Sequence, residues 1–289
     1  MSAMIIRGLG VAWVLVLAMG ILASCATTFP KDPLVVKKAS FHYELANNAY
    51  FAGSPMEALQ ELDTVLSIDP EHTKAHHLLG MIHFGRDEFK RAREHLRRAL
   101  ELQPDMRIAR NNLGALNLRI ATEFHRSNPA AELQWTREAI RVLEPLVGDR
   151  LYPTPHLVHN NLGTAFHVLG NMEKAEFHFQ RAIRLKPRMC RAHCNLGRLY
   201  KEQRRFDLAV RFLDRAIEHC ELQVQKGFNE PYLHLGEVYE LTGQIQPAVE
   251  SYRICYEAGP GTPFGMECGS RLAGLRAGAA HSQSEGVAR

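Results

Sequence analysis

The chain has 289 residues, a formal net charge of +4 and 46% hydrophobic side chains. Basic and acidic residues nearly balance, 35 against 31, and no lysine–arginine cluster is segregated, which argues against nucleic acid as a partner. There is no HExxH, no Cys-x-x-Cys, no Gly-rich phosphate loop and no nucleophile–base pairing, so neither a catalytic residue, a metal site nor an enzyme is expected.

Residues 1–24 are unlike the rest. Arg7 is their only charged side chain, and the uncharged run from Gly8 to Ser24 is too short and too rich in small residues at its end to read as a membrane span. Leu22-Ala23-Ser24-Cys25 resembles the bacterial lipobox. That resemblance implies cleavage before Cys25, a diacylglycerol and an N-acyl chain on it, and no other cofactor. Several acyl chains hold a protein to a membrane at about 0.8 kcal/mol per buried CH2. By resemblance to sorted lipoproteins, Ala26 rather than an aspartate after the cysteine implies the outer membrane. Residues 25–38, with Pro30 and Pro33, read as an extended tether.

From residue 39 a 34-residue pattern recurs, clearest in 73–106. It reads as two antiparallel helices, with Gly80 where they cross too closely for a Cβ, Ala92 and Ala99 small for the same reason, Leu79 and Leu96 in the seam, and Pro104 ending the second helix. The Leu-Gly pair returns at Gly114, Gly163, Gly197 and Gly236, and Ala46 takes the slot in the first unit. Units are expected at 39–72, 73–106, 107–151, 156–189, 190–223 and 229–262. The pattern resembles the tetratricopeptide repeat (TPR) and implies an all-α solenoid of about six helix hairpins. Residues 263–276 are expected to form a capping helix and 277–289 a disordered tail. In the third unit the small alanine comes thirteen residues late, at Ala139, behind a cap of Ser127, Asn128 and Pro129. A lengthened hairpin carrying Trp135, protruding from the stack, is expected there.

His42, His76, His159 and His193 share position 4 of their units, where the repeat packs a large side chain between paired helices, so they are expected to be structural. Antiparallel pairing brings Cys220 near Cys190 or Cys194, and Cys255 near the capping segment with Cys268, so up to two disulfides are expected.

The first helices of a TPR array line its concave wall. The slots facing outward there include Tyr43, Asn47, Tyr50 and Phe51 in the first unit, His77, Met81 and Phe84 in the second, and Ile108, Asn111 and Leu118 in the third. Asn112, Asn161 and Asn195 share position 6 and resemble the asparagine ladders that hold a bound peptide backbone. These residues together make the expected partner groove, since exposed aromatics and Met suit a peptide-binding surface.

A lipobox, a tether and about six TPR units look like the type IV pilus biogenesis lipoproteins of the PilF/PilW/Tgl group, the secretin pilotins. The resemblance implies an outer-membrane lipoprotein on the periplasmic face that binds the pilus secretin and helps it localise or multimerise. An NlpI-like TPR lipoprotein, an adaptor for envelope hydrolases and proteases, is the alternative.

Overall fold

A computed structural model describes residues 32–125, 127–221 and 229–287, and the leader, Cys25 and its acylation lie outside them. The described residues contain thirteen α-helices and no strand. The chain divides into two compact units. In residues 1–72, α1 (Pro33–Phe51) pairs with α2 (Pro55–Ile68). In residues 73–289, hairpins form from α3 (Thr73–Gly85) with α4 (Phe89–Leu102), and α5 (Arg107–Phe124) with α6 (Pro129–Leu143). Next come α7 (Pro155–Val168) with α8 (Met172–Leu185), α9 (Cys190–Glu202) with α10 (Phe206–Glu221), and α11 (Glu230–Leu241) with α12 (Ile245–Ala258). The last helix, α13 (Pro263–Val287), packs on α12 and α11.

The glycine slot behaves as a close crossing demands. A Cβ on Gly80, Gly114, Gly163, Gly197 or Gly236 would stand 2.5–2.7 Å from Leu96, Leu143, Phe179, Leu213 or Tyr252 respectively. Each of those five partners is fully buried. Ala58, Ala92, Ala139, Ala175, Ala209 and Ala248 on the second helices are also wholly buried, as expected of the small slot. The turn inside a regular hairpin needs one residue at positive φ: Gly53, Gly170 and Gly243 provide it freely, whereas Asp87 and Arg204 adopt φ 57° at some steric cost.

The thirteen added residues of the third unit are accommodated at the far end of its hairpin. Helix α5 has 18 residues against 13 in α3, roughly 7.5 Å longer at 1.5 Å per residue. Asn128 caps α6 by accepting from the Ala131 amide at 3.1 Å, with Pro129 at the first helical position, as the sequence implied. The hairpin does not simply protrude. Phe124 and Trp135 pack on a core of Ala92, Leu96, Leu113, Leu116 and Ile120, so the extension folds along α4.

Two boundaries differ from expectation. Helix α1 starts at Pro33, inside the expected tether, because Asp32 caps it by accepting the Leu34 amide at 2.8 Å and proline suits the first helical position. Helix α13 runs to Val287, through most of the segment expected to be a disordered tail. Its capping part is anchored by Cys268 and Leu272 against Tyr252, and Ala277, Ala279 and Ala280 are strong helix formers that let it propagate.

Cys190 is disulfide-bonded to Cys220 and Cys255 to Cys268. Cys194, the other candidate partner of Cys220, is free and buried. The first bond ties the start of α9 to the end of α10, and the second ties α12 to the capping helix.

The position-4 histidines meet position 23 of the second helix in their own hairpin. His42 Nδ1 lies 2.7 Å from Glu61, His76 Nδ1 3.0 Å from His95 Nδ1, and His159 Nδ1 2.9 Å from His178 Nδ1, while the His193 ring stacks on Phe212. In a His–His pair one ring donates and the other accepts, so the pair holds only if at least one ring is neutral. Burial, with a smaller contribution from neighbouring positive charge, brings His95 and His178 each down to about 4. The sign follows. These folded-state values lie below the ordinary value of 6.5, so the stabilisation is complete above about pH 6.5 and is lost as pH falls towards 4. We expect thermal stability to drop between pH 7 and pH 5, on the order of 1 kcal/mol per pair once partial exposure is discounted. Replacing the position-23 histidines by the aromatic of the fifth unit, His95→Phe with His178→Phe, should flatten the melting temperature against pH. An unchanged slope in that variant would place the titrating groups elsewhere.

Candidate protein-docking surface

In residues 32–72, the expected aromatics are partly available. Tyr43, Asn47 and Tyr50 are half-buried, with the Tyr43 ring 5.2 Å from His72 and the Tyr50 ring edge-on to Phe51 at 5.5 Å. Phe51 is 78% exposed. The sequence reading missed a second feature of α1. Leu34, Phe41 and Leu45 fall at helical spacings of seven and four on one stripe, and all three are exposed. A signal was there in the spacing, but the stripe lies outside the slots by which TPR grooves are recognised.

In residues 73–289, the first helices α3, α5, α7, α9 and α11 pack successively on one another, and α11 also meets the capping helix. Position 6 of one helix reaches position 5 of the one before. Asn112 Nδ2 donates to His77 Nε2 at 2.9 Å, Asn161 Nδ2 to Asn111 Oδ1 at 3.3 Å, and Asn195 Nδ2 to Asn160 Oδ1 at 3.1 Å. Burial brings His77 down to about 4, so its ring is neutral and free to accept. The asparagine ladder therefore joins repeat to repeat. One N–H of each amide is engaged in that task, a role that the expectation of a peptide-binding ladder did not include.

Position 12 is likewise an inter-repeat slot. Leu118 is buried against Ala139 and Ala165, and Phe84 packs on the core that includes Leu116 and Ile120 of the next repeat. Asn111 is buried as well, as the acceptor of the ladder. Leu118, Phe84 and Asn111 are thus not free groove residues, because the following repeat covers them. Ile108 is exposed, Met81, His77, Asn112 and Asn161 are half-buried, and Asn195 is buried.

At the far end of the row the same slots carry charge, and the charges satisfy one another. Lys201 at position 12 is ion-paired with Glu237. His234 Nδ1 lies 2.9 Å from the same carboxylate, and Arg271 of α13 reaches Glu240 at 3.3 Å and Glu267 at 3.0 Å. Burial alone would raise the Glu237 carboxyl, but hydrogen bonds from His234 and Lys201 outweigh it and hold the group down at about 2. Arg198 and Glu230, with His167 and Glu202 beside them, extend the network. Such a wall is electrostatically closed: a ligand would have to break existing pairs to use it. Among the described residues, no group of three or more His, Cys, Asp or Glu side chains is placed to hold a metal ion. No described helix is long and apolar enough to cross a membrane.

Models described as the tetratricopeptide repeat match residues 43–106, 77–141, 156–189 and 191–218, together more than half of the chain. Among solved structures, the chain is similar to PilW, a widely conserved type IV pilus biogenesis factor. The identity is 19%, the TM-score 0.64, and the match covers 79% of this chain and 97% of PilW. It is also similar to PilF of Pseudomonas aeruginosa, at 19% identity and a TM-score of 0.60, over 82% of this chain and 99% of that one. At such identity the likeness is one of fold. Among curated proteins, the chain is 24% identical over 210 residues to aspartyl/asparaginyl beta-hydroxylase of Mus musculus; the match takes in 72% of this chain but spans only 27% of the relative's length.

Proposed function

Because the chain belongs to the tetratricopeptide repeat family, we propose that it is a protein–protein scaffold rather than an enzyme, a lipid-anchored pilotin that binds the type IV pilus secretin at the outer membrane. The observation that carries this reading is extent. The array accounts for nearly the whole length of PilW and of PilF, 97% and 99%, whereas it spans about a quarter of the hydroxylase. The Leu-Ala-Ser-Cys sequence ending at Cys25 adds the anchor, with the acyl chains embedded in the inner leaflet of the outer membrane and the repeats on its periplasmic face. The partner meets two sets of residues: Tyr50 and Phe51 of the first repeat, and Met81 and Ile108 of the first-helix row in residues 73–289.

Aromatic anchors of an interface commonly cost over roughly 2 kcal/mol when truncated. In a deletion strain, Tyr50→Ala with Phe51→Ala should fail to restore secretin multimers, while the exposed pair Arg181→Ala with Arg184→Ala should restore them. Helicity and melting temperature should be unchanged in both. Cys25→Ser should lose labelled fatty acid and leave the secretin mislocalised. Secretin multimers that persist in the deletion strain would reject the pilotin reading in favour of an adaptor for envelope hydrolases or proteases, and label retained on Cys25→Ser would reject the anchor.

A further inference from the structure

The lengthened third hairpin makes a surface that the reading above does not use. Between α4 and the tips of α5 and α6 lies a trough of about 480 Å³, within the range of roughly 300–1,000 Å³ usual for ligand clefts. Its floor is Phe89, Ile120, Phe124 and Trp135, and its rim carries Lys90, Arg93 and Arg97. A second hollow of about 390 Å³ continues from it past Arg93 and Trp135 to Arg137 and Arg141.

Two features go beyond what folding alone requires. Trp135 stands four residues before the small alanine of the second helix, where the other units have Ser54, Glu88, Asn171, Arg205 and Gln244, residues of a tight turn. A half-exposed tryptophan is not needed to close a hairpin. Over it lies the Arg93 guanidinium, 4.6 Å from the ring centre, with a buried Nε that has no hydrogen-bond partner. Buried donors are normally satisfied, so an orphan one beside an open trough needs an explanation.

We propose that this trough docks an acidic segment of a partner protein, one bulky apolar side chain entering over Phe124 and Trp135 and flanking carboxylates meeting the arginines. Charge complementarity selects the occupant. Lys90, Arg97 and Arg137 have no ion-pair partner among the described residues, and Arg141 is paired with Glu138. Glu94 is the one uncommitted acid of the rim. A carboxylate seated between Arg93 and Arg97 relieves the repulsion between two neighbouring guanidinium groups, and arginine forks bind carboxylates in bidentate fashion. The cation over the tryptophan is ready-made for such a contact.

The site carries its own reporter. The sequence has two tryptophans, Trp13 and Trp135, and cleavage before Cys25 removes the first, so the mature lipoprotein in detergent carries Trp135 alone. The probe is a twelve-residue fluorescein-labelled peptide with six Asp or Glu around a central Phe-Leu pair. We expect binding in the tens of micromolar by anisotropy, with the unlabelled peptide shifting Trp135 emission. Arg97→Glu, an exposed change that does not touch the core, should weaken binding at least tenfold, and a peptide with Ala-Ala at its centre should bind at least tenfold more weakly. Tyr50→Ala with Phe51→Ala should leave this binding intact, which separates it from secretin recognition. The inference is overturned by no binding below 500 µM, or by equal affinity for Arg97→Glu. A constant Trp135 emission at saturation overturns it as well, as does an occupant that proves to be anionic phosphatidylglycerol vesicles or a second copy of the chain, sensitive to Arg97→Glu where the peptide is not.

Discussion

Reduction of the two disulfides is expected to lower the stability of the C-terminal repeats by about 3 kcal/mol for each bond. Cys190–Cys220 closes a loop of sequence separation 30, and Cys255–Cys268 one of 13. In the loop-entropy account the longer ring gives somewhat more, though growth with length is only logarithmic. Because each repeat leans chiefly on its neighbours, loss of one bond should first open the elements it joins, α9 with α10 or α12 with α13, rather than the whole array. Urea melts with and without a phosphine reductant measure the total, and Cys190→Ser with Cys220→Ser isolates the first bond. Thiol counting gives an independent check. Cys194 is fully buried, and burial pushes its thiol well above the ordinary range, so beyond Cys25 one thiol per chain should react, and only after unfolding. Labelling of Cys190 or Cys220 in unreduced protein would contradict the pairing.

The second large effect comes from a single methyl group. Gly163→Ala puts a Cβ 2.5 Å from Cδ1 and 2.6 Å from Cε1 of Phe179, a ring that is wholly buried. Overpacking at such a site should cost about 3 kcal/mol, seen as a lowered urea midpoint with an unchanged slope. The same substitution at Gly85, where nothing lies within 4 Å of the new Cβ and α3 is helical, should stabilise by roughly 0.5–1 kcal/mol. Opposite signs for one chemical change test the close-crossing account directly. If the two variants melt alike, the glycine slot is not a contact requirement.

The repeat register was legible because it is written in volume: a glycine sixteen residues before its large partner in a regular repeat, a small alanine and a capping proline leave few alternatives at 34-residue spacing. The cap at Asn128, the shared fate of the position-4 histidines and the Cys255–Cys268 pairing followed from the same frame. Choosing Cys190 over Cys194 did not, since both lie within one turn of the same helix. The groove was less legible. Leu118 and Phe84 were read as outward-facing, yet position 12 looks along the stack and is covered by the next repeat, as Lys201 against Glu237 also shows. Asn111 was lost to the groove for a similar reason, since position 5 accepts from position 6 of the repeat that follows. A pattern fixed within one repeat does not say what the neighbour will bring. The trough beside Trp135 depends on where an irregular hairpin folds back, which no 34-residue template describes.

The third hairpin shows how such an array can change its specificity. Gly114 still crosses Leu143 as Gly80 crosses Leu96, although thirteen more residues separate the first pair. The crossing that holds the two helices of a repeat together and the tip that offers new chemistry are therefore separate regions of one hairpin. Selection can lengthen, shorten or recharge the tip while the stacking surfaces stay the same. A repeat of this kind is built as antibody loops are on their sandwich: a framework fixes the stacking, and the margin is free to vary.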